Sequence, residues 1–163
     1  MIGWVSALAM VAGVQGAAAQ ADLRQPGNVV TALQTAGYKA QLKLNDDGEP
    51  YIISATNGEP FTVDFYECTG LKDCKSFQLS AWYEKEAVFT PAMANEWNAK
   101  RRFLKAAIDS EGNLREYLDA TVVGGMTQAQ FEEILQWYSD MDGVFNTFVA
   151  EKRAAAKGAA RVK

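Results

Sequence analysis

The sequence predicts an α+β domain: an antiparallel sheet with helices packed against it. Three observations point there. Segments that alternate apolar and polar residues come in pairs joined by turn residues, as hairpins do. They do not alternate one-for-one with helices, as a parallel sheet would require. Helical spacing is confined to three stretches, near 26–36, near 91–99 and from 127 onward. At 163 residues, 48% hydrophobic and 22% charged, the chain has the length and mix of one globular domain.

The first helix is expected over 26–36. Pro26 suits a first helical position, Val29, Val30 and Leu33 share a face, and Gly37 can close the helix. Residues 38–44 alternate as a strand, and Asn45-Asp46-Asp47-Gly48 turns the chain. A second strand covers 51–55 and a third 61–66, with Asn57-Gly58 before it as a tight hairpin signal. Residues 76–83 make a fourth. A helix is expected over 91–99, then strands over 103–109 and 114–120 about the turn 110–113. Gly124-Gly125 breaks the chain. The last helix starts at Thr127, with Gln130 placed for a capping box. Its stripe is Phe131, Ile134, Leu135, Tyr138, Met141, Phe145 and Phe148. The order is α-β-β-β(β)-α-β-β-α.

Residues 1–21 carry no charge and shift from an apolar run to small residues. Ala19 and Ala21 form an Ala-x-Ala site, so 1–21 is expected to be a signal peptide, cut before Asp22. No Lys or Arg precedes the apolar run, and an uncleaved membrane anchor is the alternative. Cleavage would leave a periplasmic domain over 22–150, with no stable membrane insertion. The tail 151–163 carries five Lys and Arg against Glu151 and is expected to be a flexible, solvated end. The net charge of −4 leaves an acidic body, which argues against nucleic acid as a partner.

Histidine is absent. That removes Ser-His-Asp and Cys-His catalysis and mixed His/Cys zinc sites. Cys68 and Cys74 are the only cysteines. In an exported protein an even count reads as a disulfide, and the spacing is too wide for a Cys-x-x-Cys redox pair. The acidic turns near 45–49 and 109–113 do not keep the register of a calcium loop and read as hairpin turns. Asp64, Glu67, Glu84 and Glu86 could pair for acid-base chemistry, although solvated strand faces carry such residues routinely. Trp97, Asn98, Arg101, Arg102 and Phe103 cluster at the end of the middle helix. They read either as a recognition surface or as aromatics packed on the sheet with the arginines extended along it.

Several of these segments also occur together in one family. They are Gly37-Tyr38 after the first helix, the run Asp46-Asp47-Gly48-Glu49-Pro50-Tyr51-Ile52, and Phe65-Tyr66-Glu67-Cys68 with Cys74-Lys75-Ser76-Phe77-Gln78. Asn95-Glu96-Trp97-Asn98 with Arg102-Phe103, and Gly124-Gly125-Met126-Thr127, continue the series. In their order and spacing, roughly residues 25–149 resemble the YbjN family of bacterial proteins, described as sensory transduction regulators. The resemblance implies a fold similar to the small chaperones of type III secretion, with possible pairing as homodimers. It implies a non-enzymatic, interaction-based role and supplies no catalytic residue or cofactor. The export signal sets this chain apart from cytoplasmic regulators.

The leading expectation is therefore a periplasmic protein-binding module, chaperone-like or regulatory. It would take up a partner segment by strand addition or helix docking, at the last helix or at 97–103. The alternative is a small-molecule or ion sensor acting through a membrane partner, with a pocket lined by Tyr66, Phe77 and Trp82. An enzyme is the weakest reading, because the chain has no G-x-G-x-x-G, G-x-x-x-x-G-K or G-x-S-x-G motif.

Overall fold

The structure, a computed structural model, describes residues 22–161. The expected signal peptide and its cleavage residues Ala19 and Ala21 lie outside the described residues. No described helix is long and apolar enough to cross a membrane.

Helix α1 (Pro26–Thr35) has proline at its first turn. It closes with the Gly37 N–H on the Gln34 carbonyl and the Tyr38 N–H on the Leu33 carbonyl. This double closure needs a left-handed residue, and Gly37 takes φ 88° at little cost. Tyr38 is thus spent on the helix end and packs edge-on against Phe61. Strand β1 is shorter than expected for that reason, Gln41–Leu44.

Strands β2 (Pro50–Thr56), β3 (Glu59–Tyr66) and β4 (Ser76–Tyr83) continue as an antiparallel meander. Asn57 and Gly58, both at positive φ, make the two-residue turn between β2 and β3. Helix α2 (Pro91–Lys100) follows, capped by the Thr90 hydroxyl, which accepts from the Met93 N–H. The chain returns through β5 (Lys105–Ile108) and β6 (Leu114–Thr121). The six strands lie in the order β1-β2-β3-β4-β6-β5, all antiparallel. Strand β6 enters beside β4, which leaves β5 on the sheet edge. The α+β class, the antiparallel sheet and the element order match expectation.

Among the described residues, one face of the sheet is covered and the other is not. Ile52, Phe61, Val63, Phe77, Leu79, Ala106, Leu114 and Leu118 point to the same side and are buried. They join Val29 and Leu33 of α1, Met93 and Trp97 of α2, and the apolar stripe of α3 (Gln128–Arg161) in a single core. At about 1.5 Å per residue, α3 runs some 50 Å along that side.

Residues 151–161, expected within a flexible tail, are helical in the structure. Helix α3 continues to Arg161. Lys152 pairs with Glu96 of α2, and Arg153 holds Glu86, in the loop before α2, through two nitrogens. Alanine-rich sequence with no proline sustains the helix beyond these anchors.

Candidate functional site

The sequence-marked cluster at the end of α2 divides in two. Trp97 is 2% exposed. Its Nε1 donates to the Leu104 carbonyl at 3.0 Å, and its ring stands edge-on to Phe145, with centroids 4.8 Å apart. The Asn98 side chain donates to the Ala106 carbonyl and accepts from the Ala106 N–H, both at 2.9 Å. It therefore occupies the place a further strand would take beside β5. Both residues are structural, and strand addition is blocked at Ala106 on that edge.

Arg101, Arg102 and Phe103 are exposed. Phe103 has φ 60°, a backbone region that bulky side chains rarely enter. Strand β5 begins only at Lys105, two residues later than expected, because the chain bends here. The bend lays the Phe103 ring flat on Trp137 of α3, with centroids 4.2 Å apart and planes 17° off parallel. The Arg102 guanidinium lies over the outer ring at 4.7 Å. Neither arginine makes an ion pair among the described residues, whereas Lys100 pairs with Glu96. Trp137 is oriented by its Nε1 donating to Glu133 at 2.9 Å.

Trp137 stands between two hollows. One, of about 340 Å³, is lined by Lys100, Arg101, Arg102, Phe103, Asp140 and Met141. The other, of about 550 Å³, is mostly apolar and includes Val123, Met126, Ala129 and Ile134. Val123 is 64% exposed at its edge. The result is an aromatic ridge with an apolar hollow on one side and unpaired cations on the other.

The remaining candidates do not converge. Glu67 pairs with Lys75 and Glu86 with Arg153. Asp64 pairs with Arg115 at 3.0 Å. Among the described residues no group of three or more Cys, Asp or Glu could hold a metal ion. The acidic turns close on their own side chains. Asn45 accepts from the Glu49 N–H, and Asp109 accepts from the Glu111 and Asn113 N–H groups. Those donors hold the Asp109 carboxyl below its usual range, the Asn113 side chain contributing most. Cys68 and Cys74 form a disulfide across the loop between β3 and β4. Cys74 is fully buried, and its N–H donates to the Arg24 carbonyl. The expected pocket of Tyr66, Phe77 and Trp82 does not form. Phe77 faces the core, while Tyr66 and Trp82 sit on the uncovered face.

Sequence reading missed a buried acid pair. Glu116 of β6 is 0% exposed and Asp142 of α3 is 2% exposed. Asp142 accepts from Asn57 Nδ2 at 2.7 Å and from Asn146 Nδ2 at 3.2 Å. Neither Glu116 oxygen accepts a hydrogen bond, and the Tyr138 hydroxyl has no partner. Burial first, then the neighbouring Asp142 carboxylate, push the Glu116 carboxyl up to about 10. Glu116 is therefore a neutral acid at pH 7. Burial also lifts the Tyr138 and Tyr83 phenols far above their ordinary value. A signal was available for both acids. Glu116 sits between Leu114 and Leu118 on the inward side of its strand. Asp142 falls in the spacing 131, 135, 138, 142, 145, 149, where every other member is apolar.

The model of the YbjN family, "Putative bacterial sensory transduction regulator", matches residues 25–149. The chain belongs to the YbjN family. A solved structure with the same fold is that of YbjN from E. coli, titled "a putative transcription regulator". It aligns with a TM-score of 0.51 and 14% identity, over 69% of this chain and 81% of that one. At that identity the likeness shows the YbjN fold alone. No curated protein matches the chain. The YbjN description is that of a regulator rather than an enzyme, which fits a regulatory or binding role.

Proposed function

We propose that the protein is an exported, non-enzymatic binding protein that takes up a segment of another protein at the Phe103–Trp137 ridge. The observation that carries this reading is the exposed Phe103, held by a left-handed backbone and stacked on the half-buried Trp137. Such a backbone is unfavourable and is commonly kept where a site needs it. The apolar hollow beside Trp137 suits a leucine- or phenylalanine-sized side chain, and the unpaired Arg101 and Arg102 suit an acidic neighbour. The occupant is therefore an acidic segment with an apolar anchor. Export is supported by the Ala19/Ala21 site and by the Cys68–Cys74 bridge, since disulfides persist in oxidising compartments. A binding rather than catalytic role is supported by the family description, which names a regulator.

The test compares crosslinked envelope fractions from cells carrying the native chain or the variant Arg101→Glu/Arg102→Glu/Phe103→Ser. The expected result is a stoichiometric protein lost from the variant, with crosslinks mapping to an acidic, apolar segment of that protein. A variant that captures the same proteins as the native chain overturns the proposal. So does self-association through this ridge as the only interaction lost, because the occupant would then be a second copy.

A further inference from the structure

We propose that the helix-free face of the sheet binds a neutral oligosaccharide. Among the described residues all three helices lie on the opposite side, so this face is formed there by side chains of alternate strand residues. It carries Tyr51 and the exposed Tyr66 and Trp82 around an open depression of about 370 Å³. The floor is a polar lattice. Asp64 Oδ2 accepts from Thr62, Ser80 and Arg115 at 3.0–3.1 Å. Arg115 in turn lies over the Trp82 ring at 5.0 Å, which braces the indole.

Charge selects the ligand class. The ionised side chains lining the depression are Glu49, Asp64 and Arg115, and the last two neutralise each other. A carboxylate or phosphate would meet Glu49 and Asp64, and a cation would have to compete with Arg115 for Asp64. A neutral ligand avoids both penalties. Every hydrogen bond to Asp64 falls on Oδ2, so Oδ1 is free to accept among the described residues. Among the described residues Arg115 bonds only through Nη2, which leaves Nη1 free to donate, and its buried Nε has no acceptor. A free acceptor beside a free donor matches groups that both give and take a hydrogen bond, as sugar hydroxyls do. The flat rings around them match the C–H faces of pyranose rings, burying apolar area while leaving hydroxyls to the polar floor. This site is on the far side of the sheet from the Phe103–Trp137 ridge, and the two proposals stand or fall separately.

The experiment is a titration of the protein with chitotetraose, cellotetraose and maltotetraose, read by tryptophan emission and by calorimetry. The expected result is saturable binding of at least one, weakened tenfold or more by Trp82→Ala and by Asp64→Asn. Phe103→Ser should leave it unchanged. Both Trp82 and Tyr66 are surface residues, and near-native circular dichroism of Trp82→Ala and Tyr66→Ala would show that the variants fold. Lack of saturable binding to all three sugars overturns the proposal, as does binding that survives both Trp82→Ala and Tyr66→Ala. Sedimentation showing that the native face pairs two copies, with Trp82→Ala dispersing them, also overturns it.

Discussion

Replacing Glu116 with glutamine should make the protein less sensitive to pH and more stable at neutral pH. In the folded state the carboxyl is pushed from 4.5 up to about 10 by burial and by Asp142. In the unfolded chain it titrates at its ordinary value. Between those two values the folded state holds one proton that the unfolded state has released. Stability from this group is thus fully present below the ordinary value and falls as pH rises toward 10, by about 1.4 kcal/mol per pH unit. At pH 7 the accumulated cost is about 3 kcal/mol, a large part of a typical domain's 5–15 kcal/mol. Glutamine has nearly the same shape and stays neutral at every pH. Urea unfolding of both proteins at pH 5, 6, 7, 8 and 9, followed by circular dichroism, measures the difference. The gap should be under about 1 kcal/mol at pH 5, favour glutamine clearly at pH 7 and widen further at pH 9, with unchanged m-values. Parallel stability curves across that range would falsify the neutral-acid assignment.

Two further outcomes follow from the site's construction. Asn98→Ala removes both bonds to Ala106 and leaves that strand's N–H and carbonyl without partners. Unfolding stability should fall by about 1–3 kcal/mol, and light scattering should show new association through the opened edge. Cys68→Ser/Cys74→Ser should lower stability by about 2 kcal/mol by freeing a short loop in the unfolded chain, measured as a lower urea midpoint; an unchanged midpoint would remove the bridge from the stabilising interactions.

The fold was legible wherever local chemistry decided it. Asn57-Gly58 demanded a tight turn, Gly37 a helix end, and the spacing from Phe131 to Phe148 a long buried stripe. The boundaries that slipped did so through contacts distant in sequence. Tyr38 serves a helix end and Phe61, and Phe103 gives up its strand position to reach Trp137. The tail is helical to Arg161, with its near end tied to partners that lie more than 50 residues earlier, Glu96 and Glu86. The recognition cluster was half legible. Composition marked 97–103, but a tryptophan's side of a helix depends on what the helix packs against. Trp137, outside that cluster in the sequence, became the other half of the ridge through tertiary stacking alone. The acid pair was hidden for a different reason: alternation and helical spacing both placed Glu116 and Asp142 inward, while their charge suggested solvent.

The order of elements has a consequence for how the chain comes together. Strands β1 to β4 pair as sequence neighbours and need only short loops to close. Strand β6 must cross α2 and β5 before Trp82 meets Arg115, a costlier closure that slows folding. The long helix that covers the sheet is made last. During synthesis the meander therefore emerges with Ile52, Phe61, Val63, Phe77 and Leu79 lacking α3, the largest part of their cover. Until α3 docks and Arg153 reaches Glu86, that apolar face is the part of the nascent chain most exposed to aggregation.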